Sequence, residues 1–555
     1  MVRATFSGFN TALSALQANQ KRLDITGQNL SNMNTAGYTR QQLEASSLNY
    51  TNPVSHYSNG NETAVGFGVS MDRVSQIRDP YLDIQYRSQS ADCSYTNRLQ
   101  TALNSLSKVL DETTISGIRQ AFDDVLSTLT SMQDPAKVSD PIYESELRTK
   151  MQSVCNLFNQ ASRQITQAEQ NEFQRLTGEG SSEQGDVQKI NDILRQIGDL
   201  NVQIKRNQVA GHPSLELQDE RNLLLDELSG YIPIETRYYK DDAHSGNNAY
   251  DYDANGAVIG KKDWPDDLEV SMNYIDAQGK SQKLILVNGS DLGADGLTKN
   301  YGQLSVLNRD HKPAASVSDP ANISIRFEKA PSYQVNGQAA TDVYAELKGI
   351  HFEGGSLQAS LDMLQKKGTG NVINGSVDDV RGYQYYSEKL DQLADTFAKS
   401  MNASNNGNNH KDQNLLSNST DDSTNGITAG NIGISKGWTS GTIHISTDGT
   451  NRTDTILDMI AAMKDTKKLN GKTFADYMNN LSTQLASDSS SNQTALKTGT
   501  TVLNSIQDSR DSLSGVSLDE EATNMMAYVS AYNAASRLMT ALDEVLNTLI
   551  SNTGA

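Results

Sequence analysis

Residues 12–40 read ALSALQANQKRLDITGQNLSNMNTAGYTR, and this stretch contains both a helix pattern and the signals that end the helix. Apolar residues in and before it recur at alternating spacings of three and four, which predicts an amphipathic helix with a coiled-coil stripe. The apolar members are Phe6, Phe9, Leu13, Leu16, Leu23 and Leu30, with Gln20 and Gly27 in the two other positions. A stripe this narrow buries little surface, so we expect the helix to need a partner.

The end of this helix is marked by short polar side chains and one glycine. Such side chains compete for backbone hydrogen bonds and favour helix ends; they are Asn29, Asn32, Asn34 and Thr35. Gly37 supplies a position where φ can be positive at little steric cost. We therefore expect the helix to turn sharply into an extended segment, with the ring of Tyr38 covering the turn.

Residues 516–555 carry a second stripe with the same spacing. Its members are Met525, Val529, Tyr532, Ala535 or Ser536, Met539, Leu542, Leu546 and Leu549. Residues 1–40 carry a net charge of +3 and residues 516–555 a net charge of −4, so the two terminal helices attract each other. Exposed ion pairs contribute only about 0–1 kcal/mol each. We therefore predict that both termini of a free subunit stay disordered and become ordered only on assembly.

Composition limits the class of protein. The chain has 555 residues, enough for several domains, but its AVILMFWYC content of 36% predicts thin cores or an elongated shape. A net charge of −20 disfavours nucleic acid and anionic membrane surfaces as partners. No apolar run exceeds five residues, so we predict no membrane insertion. The first ten residues lack the apolar region of a cleaved signal peptide.

Helix-spaced apolar residues between the two ends predict a long bundle built by both halves of the chain. The predicted interior helices are 98–110, 118–132, 143–172, 188–208, 215–228, 386–401, 455–463 and 474–496. Between Tyr231 and Glu353 the apolar period drops to two, with turn signals at 253–256 and 277–280, which predicts an inserted β domain. Residues 404–454 are rich in Asn, Ser, Thr and Gly, which predicts a small outer lobe.

The predicted fold class is mainly α with β inserts, an elongated multidomain α+β chain with terminal coiled-coil helices and a discontinuous helical bundle. Four domains are predicted. They are an inner coiled-coil domain (1–50 with 512–555), a helical bundle (51–230 with 354–403 and 455–511), an inserted β domain (231–353) and the small outer lobe (404–454).

The residues offer no recognisable catalytic, metal or cofactor site. The seven histidines never fall within five residues of each other, so the H-E-x-x-H zinc pattern is absent. Gly471-Lys472-Thr473 lacks the earlier glycine of a phosphate-binding loop. The acids of 519–521 begin a helix, where they complement its dipole. Cys93 and Cys155 are far apart in sequence, which predicts two buried thiols rather than a disulfide framework.

Both ends resemble a known family. The pattern A-L-x-A-x-Q-x-x-L-D-I-x-x-x-N-L-x-N-x-N-T-x-G-Y-x-R, here from Ala12 to Arg40, resembles the N-terminal signature of the axial proteins of the bacterial flagellum. This family comprises rod, hook and hook-associated proteins. Residues 514–522, 531–537 and 542–546 resemble its C-terminal signature. Two matches at opposite termini are hard to obtain by chance.

The interior resembles the hook-associated members. Gln218-Asp219-Glu220-Arg221-Asn222-Leu223-Leu224-Leu225-Asp226-Glu227-Leu228 is similar to their D-x-R-D-x-L-L-D-E-L helix. Residues 354–357 resemble the G-G-x-L start of a later helix, and residues 389–398 resemble the helix after it. Asn222 stands where the family usually has Asp, and we expect this difference to be neutral on an exposed helix face.

The resemblance implies a structural subunit of the junction between hook and filament. It implies export of the unfolded chain through the flagellar type III channel, assembly at the distal end of the hook, and an extracellular location without a cleaved signal peptide. The implied partners are further copies of the chain in a ring or helical assembly, the hook protein below, and a second junction protein or flagellin above. The export apparatus and an export chaperone that binds the C-terminal region are implied as well. No cofactor is implied.

The implied assembly residues pack within and between subunits in an inner tube, with the bundle around it and the β inserts outside. On the N-terminal side they are Phe9, Leu13, Leu16, Leu23, Asn29, Leu30, Asn32, Asn34, Thr35, Gly37 and Tyr38. On the C-terminal side they are Met525, Val529, Tyr532, Met539, Leu542, Leu546 and Leu549.

Three alternatives remain open at this stage. The chain could be the hook protein or another axial member of the same family. A surface adhesin module could reside in the β inserts. An enzyme carried on an axial protein is a third reading, which the motif search disfavours.

Overall fold

The computed structural model describes most of the chain. The described residues are 2–48, 68–110, 117–138, 140–178, 182–240, 250–252, 258–261, 266–275, 280–292, 298–308, 323–331, 334–335, 338–339, 344–347, 352, 354–368, 372–373, 376–377, 380–407, 411–447 and 453–553.

Helices dominate these residues. Their bounds are α1 (Val2–Ser31), α2 (Pro80–Leu110), α3 (Ile118–Ser131), α4 (Pro135–Val138), α5 (Pro141–Thr177), α6 (Asp186–Val209), α7 (Leu215–Tyr231), α8 (Ser356–Gln365), α9 (Tyr383–Asn406), α10 (Lys436–Ser440), α11 (Asp454–Lys464), α12 (Phe474–Ser514) and α13 (Leu518–Thr553). Each predicted interior helix coincides with an observed helix or lies within it, to one residue.

The strands are short and pair antiparallel. Their bounds are β1 (Gln41–Ser47), β2 (Val69–Gln76), β3 (Glu235–Lys240), β4 (Tyr250–Tyr252), β5 (Val258–Lys261), β6 (Asp266–Ile275), β7 (Ser281–Asn288), β8 (Gln303–Asn308), β9 (Ile323–Glu328), β10 (Gln334–Val335), β11 (Gln338–Ala339), β12 (Tyr344–Leu347), β13 (Val372–Ile373), β14 (Ser376–Val377), β15 (Leu416–Asn418) and β16 (Ile432–Ile434). The prediction of a mainly helical, elongated chain with β inserts is confirmed.

The long helices begin and end where local chemistry dictates. Asp140 precedes α5, and its side chain accepts a hydrogen bond from the backbone N–H of Ile142, while Pro141 needs no such partner. The same helix ends at Gly178, whose φ of 76° suits a residue without Cβ. Thr473 caps α12 by accepting a hydrogen bond from the N–H of Asp476. These caps fix the register of the two longest helices in the body of the molecule.

Both halves of the chain build one core, as predicted. The ring centroid of Phe122 on α3 lies 5.9 Å from Phe158 on α5, 5.2 Å from Phe397 on α9 and 5.5 Å from Phe474 on α12. All four side chains are fully buried. Edge-to-face aromatic pairs contribute roughly 0.5–1.5 kcal/mol beyond their buried area. Helices more than 300 residues apart in sequence are thereby held in a single bundle.

The inserted β region consists mainly of two three-stranded sheets, in the orders β3-β6-β7 and β12-β9-β8. Leu268, Val270 and Met272 of β6 face the core with no exposed surface, which agrees with their period of two. Asn191 of α6 donates to the carbonyl of Leu304 and anchors the second sheet to the helices. The predicted turns at 253–256 and 277–280 lie outside the described residues except for Lys280, whereas the strands on either side of each turn pair with one another.

The described residues of the range 404–454 pack against the helical bundle and do not form the separate outer lobe that their composition predicts. Trp438 is completely buried, its indole N–H donates to Glu144 of α5, and its carbonyl accepts a hydrogen bond from Arg148. Asn402 of α9 bonds the backbone of Leu416 through both atoms of its amide group. Few large apolar side chains are available in this segment. Amide side chains of α9 instead form hydrogen bonds to its backbone N–H and C=O groups and hold it against the bundle. The described residues of the segment therefore pack onto the helical bundle and contribute side chains such as Trp438 to the shared core.

Two predicted domain boundaries are also wrong. The boundary at residue 50 divides a hairpin, because β1 pairs with β2 along its whole length. The boundary at 511/512 falls inside α12, which continues to Ser514. Helix α2 likewise begins at Pro80, well before the predicted start at Arg98. These stretches are rich in Ser, Thr, Gln and Asp, so the spacing of apolar residues alone does not predict their full extent.

The two cysteines are buried free thiols, as predicted. Burial raises the pKa of Cys155 to about 12, so its thiol stays protonated. Cys93 packs where α2 meets α12, with its Sγ 3.0 Å from the position that a Cβ on Gly499 would take. Both thiols are therefore packing groups of the bundle.

Trp438→Ala should lower the free energy of unfolding of the whole bundle by about 3–5 kcal/mol, because it removes a fully buried indole from the shared core. Urea unfolding followed by far-ultraviolet circular dichroism measures this change. Ile142→Ala is the control, since Ile142 is 72% exposed and should change the value by less than about 0.5 kcal/mol. If the main unfolding transition of Trp438→Ala were the same as that of the wild type, the prediction of a separate outer lobe would be supported instead.

Candidate assembly site

The two terminal helices pack side by side, with opposite chain directions. A Cβ on Gly8 of α1 would lie 3.4 Å from Leu542 Cδ1 near the end of α13. The Arg22 guanidinium lies 5.6 Å from the ring centroid of Tyr528, nearer the start of α13. We call α1 and α13 the inner pair, and α2 to α12 the body. Both termini of a free subunit are predicted from the sequence to be disordered, whereas in the structure the two terminal helices are formed and pack against each other within one chain.

The face that α1 buries is not the predicted stripe. Leu13 is 47% exposed, and the stripe residues Phe9, Leu16, Leu23 and Leu30 are only half-buried. The buried face consists of Ala12, Ala18, Asn19, Ile25, Thr26 and Asn29. Small side chains let the β1–β2 hairpin approach α1 closely, and Ser14 accepts a hydrogen bond from the N–H of Val69 there. The side chain of Phe6 lies outside the described residues.

On α13 the observed inner face is close to the predicted stripe but shifted in one turn. Met525, Met539, Leu542 and Leu546 are half-buried, as is Tyr528, which takes the place predicted for Val529. Val529, Tyr532 and Leu549 are 43%, 37% and 41% exposed. Only Glu521 and Ala535 of the described α13 side chains are buried.

Large apolar side chains therefore remain exposed along the inner pair. On α13 they include Met526 (65% exposed), Val529, Leu538 (47%), Val545 (54%) and Ile550 (61%). With about 100° of rotation per residue, Leu538 and Val545 lie on one flank of the face that contacts α1, Val529 and Ile550 lie on the other flank, and Met526 lies on the far side of α13. Soluble monomers rarely leave so many large apolar side chains of one helix uncovered, and exposed apolar patches mark interaction surfaces.

The turn after α1 is held by a single buried amide. Asn29 is 1% exposed; its Nδ2 donates to the carbonyl of Gln41, and its Oδ1 accepts from the N–H of Gln41, both at 3.0 Å. The Tyr38 hydroxyl donates to the same Oδ1 at 2.9 Å. Burial, with nearby acids, raises the pKa of Tyr38 to about 12, so the phenol keeps the proton that it donates. Tyr38 is predicted from the sequence to cover the turn with its ring, and in the structure its hydroxyl also forms a hydrogen bond that holds the turn.

The other residues of the turn have separate roles. Gly37 has a φ of 75°, which confirms the predicted positive value, and an added Cβ would lie 2.4 Å from Leu223 Cγ on α7. Asn32 donates to the carbonyl of Gln28 and so closes the last turn of α1, and the N–H of Thr35 donates to the carbonyl of Asn32. Asn34 is exposed. The turn therefore brings Asn29, Gly37 and Tyr38 together, whereas Asn34 faces solvent.

The segment after the turn is anchored to α7. Thr39 is buried, and both its N–H and its hydroxyl donate to the Asp219 carboxylate, at 3.1 and 2.6 Å. Arg78 lies 3.9 Å from the same carboxylate. Burial raises the pKa of Asp219 to about 6, against the effect of the Thr39 hydrogen bonds and the Arg78 charge. This contact links the N-terminal motif to the α7 motif.

A charged cluster completes the attachment on the body side. Arg510 near the end of α12 contacts Asp83 of α2 at 3.0 Å and Asp226 of α7 at 2.7 Å. Its guanidinium also stacks 4.3 Å from the ring centroid of Tyr86. Three helices therefore meet at one arginine, which suits the planar, multidentate guanidinium.

Asn222 is buried, not exposed as expected. Its Oδ1 accepts hydrogen bonds from Arg87 Nη2 at 3.3 Å and from the Tyr238 hydroxyl at 3.4 Å. Arg87 also contacts Asp226 at 2.8 Å. The neutral amide of Asn222 accepts these hydrogen bonds without adding a third carboxylate to Asp83 and Asp226 of the cluster.

Sequence reasoning missed the residues that connect the inner pair to the body. Arg40, Asp219 and Arg510 pair with residues 480, 180 and 284 positions away. The available signal was that Arg40 and Asp219 both lie inside the two quoted family signatures. Within the described ranges, no group of three or more His, Cys, Asp or Glu side chains could hold a metal ion. No helix of that part of the chain is long and apolar enough to cross a membrane.

The comparisons with known proteins agree with the resemblance of both termini to axial flagellar proteins. Residues 9–39 match the family model described as "Flagella basal body rod protein", and residues 509–552 match "Flagellar basal body rod FlgEFG protein C-terminal". Residues 103–416, more than half of the chain, match "Flagellar hook-associated protein FlgK helical domain". The chain belongs to the family of flagellar hook-associated protein FlgK.

Individual relatives carry related names. The chain is 29% identical over 568 residues to "Flagellar hook-associated protein 1" of Bacillus subtilis (strain 168), covering 99% of each chain. It is 29% identical over 230 residues to the protein of that name from Salmonella typhimurium, covering 41% of this chain and 38% of that one. Among solved structures it is similar to the flagellar hook junction protein FlgK from Burkholderia pseudomallei, with 18% identity, a TM-score of 0.37, and coverage of 60% of this chain and 44% of that chain.

Gly37→Val should abolish incorporation into the flagellum while leaving the body stable. A β-branched residue at positive φ costs on the order of 1–3 kcal/mol, and its Cβ would displace Leu223. Motility of a complemented deletion strain and the amount of subunit on purified hooks measure incorporation.

Gly27→Ala is the matched control for that variant. An added Cβ at Gly27 meets nothing within 4 Å, and a helical Gly→Ala change stabilises by roughly 0.5–1 kcal/mol. This variant should swim normally. Normal motility of Gly37→Val would contradict the role of the turn.

Asp219→Asn should remove a pH dependence of stability. Because the folded-state pKa is raised above the ordinary value of 3.8, the stability that protonated Asp219 contributes is lost as the pH rises through about 6. The wild type should therefore lose on the order of 1–3 kcal/mol relative to Asp219→Asn between about pH 4 and pH 7. Urea unfolding at both pH values measures this difference, and a pH-independent difference would contradict the raised pKa.

Proposed function

We infer that the chain is a structural, axial component of the bacterial flagellum at the junction between hook and filament. Membership of the FlgK family and the rod-type models at both termini support this role. The chain is therefore part of the external flagellum and assembles with other flagellar hook and filament proteins. The match over residues 103–416 favours the hook-associated protein over the hook protein.

We further propose that association between copies covers the exposed flanks of the inner pair. The single observation that carries this proposal is the number of large apolar side chains left uncovered on α13, such as Leu538 (47% exposed), Val545 (54%) and Ile550 (61%). Heterologous contacts of this kind propagate along a ring or helix, because each subunit presents two different patches. Further copies cover these patches laterally, with the hook protein below and a second junction protein or flagellin above.

The inner pair is the part of the molecule that assembly completes. Burial on α13 is confined to two of its described side chains, so most of its stability must come from partners. Low burial also suits export of an unfolded chain through the type III channel, with a chaperone holding the C-terminal region. The subunit acts by binding alone, without catalysis, metal or cofactor.

Leu538→Glu should block assembly without destabilising the monomer. Leu538 is 47% exposed on α13, so a charge there changes monomer stability by less than about 0.5 kcal/mol. Between packed subunits the same carboxylate would be buried without a partner, which costs several kcal/mol. Motility and the amount of subunit on purified hooks measure assembly.

Ser530→Glu is the control, because Ser530 is an exposed polar residue of the same helix. It should assemble normally. Equal motility of both variants would sink the proposed role of the apolar flank, and equal loss would show that any added charge on α13 is disruptive.

A further inference from the structure

Arg40 lies where the inner pair joins the body. Along the described residues the chain passes between these two parts at 77–79 and at 514–517. The N–H of Arg40 donates to the carbonyl of Ser514, and its own carbonyl accepts from the N–H of Ile77, both at 2.9 Å. The backbone of one residue is thus hydrogen-bonded to both passages.

The side chain of Arg40 adds a second fastening. Its Nη1 lies 2.6 Å from Glu520 and its Nε 3.0 Å from Glu521, and both acids belong to the first turn of α13. The Glu521 side chain is 3% exposed and that of Glu520 60%. The Glu520 contact is screened by solvent and contributes little. The Glu521 contact is buried, so losing Arg40 would leave an uncompensated buried charge.

Arg40 itself is attached to the body through the residue before it. The preceding residue, Thr39, is bonded twice to Asp219 of α7, as described above. Helix α13, by contrast, makes its main contact with α1. The start of α13 is therefore fastened to the body through residues 515–517 and through Arg40.

We propose that Arg40, Ser514, Glu520 and Glu521 form a clasp that sets the direction in which α13 leaves the body. Opening the clasp frees the inner pair to tilt while the body stays folded. Because the body core is built by other helices, its unfolding does not depend on the clasp. The clasp is a property of the single subunit and holds whatever the position of that subunit in the flagellum.

Distances between spin labels on α13 and on the body test this proposal. Met526→Cys and Ile142→Cys are suitable sites at 65% and 72% exposure, and both native thiols are buried. In the doubly labelled monomer, pulsed electron paramagnetic resonance should give one narrow distribution of distances between the two spin labels. Arg40→Ala should broaden it and shift its mean, while the circular-dichroism melting of the body stays at the wild-type temperature.

Three further variants keep the result interpretable. Arg73→Ala removes an exposed ion pair to Glu44 on the neighbouring hairpin and should leave the distribution narrow. Glu521→Gln combined with Arg40→Ala lacks both charged groups of the buried contact, so it should give a distribution as broad as that of Arg40→Ala. Arg40→Lys keeps the charge without the planar fork, so it should show an intermediate width even if the alanine variant fails to fold.

Two outcomes would overturn the clasp. The first is a distribution in Arg40→Ala and Arg40→Lys as narrow as that of the wild type. The second is broadening accompanied by an equal loss of body stability, which would make Arg40 a general packing residue.

Discussion

The buried amide of Asn29 is the contact on which the arrangement of the termini depends. It satisfies both backbone groups of Gln41 at the point where α1 has ended and β1 begins. Without it, two polar groups of the chain would be buried unpaired, at a cost of about 1–3 kcal/mol each. Gly37 makes this geometry accessible because its positive φ reverses the chain within a few residues. As a result the β1–β2 hairpin packs along α1, and Thr39 lies within hydrogen-bond distance of Asp219.

Stability is divided unequally between the two parts of the subunit. The body contains a continuous core of aromatic and aliphatic side chains drawn from both halves of the chain. The inner pair buries mainly small residues of α1 and leaves Val545 and Leu538 of α13 exposed. Locally weak segments are typically those that change on binding. A robust body attached to a marginal pair of helices is what a subunit needs when its final contacts come from its neighbours.

Much of the fold, but less of the site, could be predicted from sequence. The spacing of apolar residues predicts the interior helices, and the glycine at position 37 predicts a positive φ. Both predictions succeed because helix formation and backbone conformation depend largely on residues close in the chain. The buried face of α1 differs from the predicted stripe because the stripe counts large apolar residues, whereas the residues that α1 buries include small ones such as Ala12 and Ala18. The contacts of Arg40 and Asp219 cross hundreds of residues, and no local pattern encodes them. Residues 404–454 show only short alternations, such as Ile432 and Ile434, and the side-chain amides that hold their backbone against the bundle follow no local pattern.

The central claim is that the inner pair is marginal in the free subunit and completed by assembly. Amide hydrogen exchange measured on the monomer and on subunits assembled on hooks tests it directly. In the monomer, amides of α13 such as that of Leu538 should exchange far faster than amides of α5 such as that of Val154, and assembly should slow α13 to a similar rate. Equal protection of α13 and α5 in the free monomer would contradict the account.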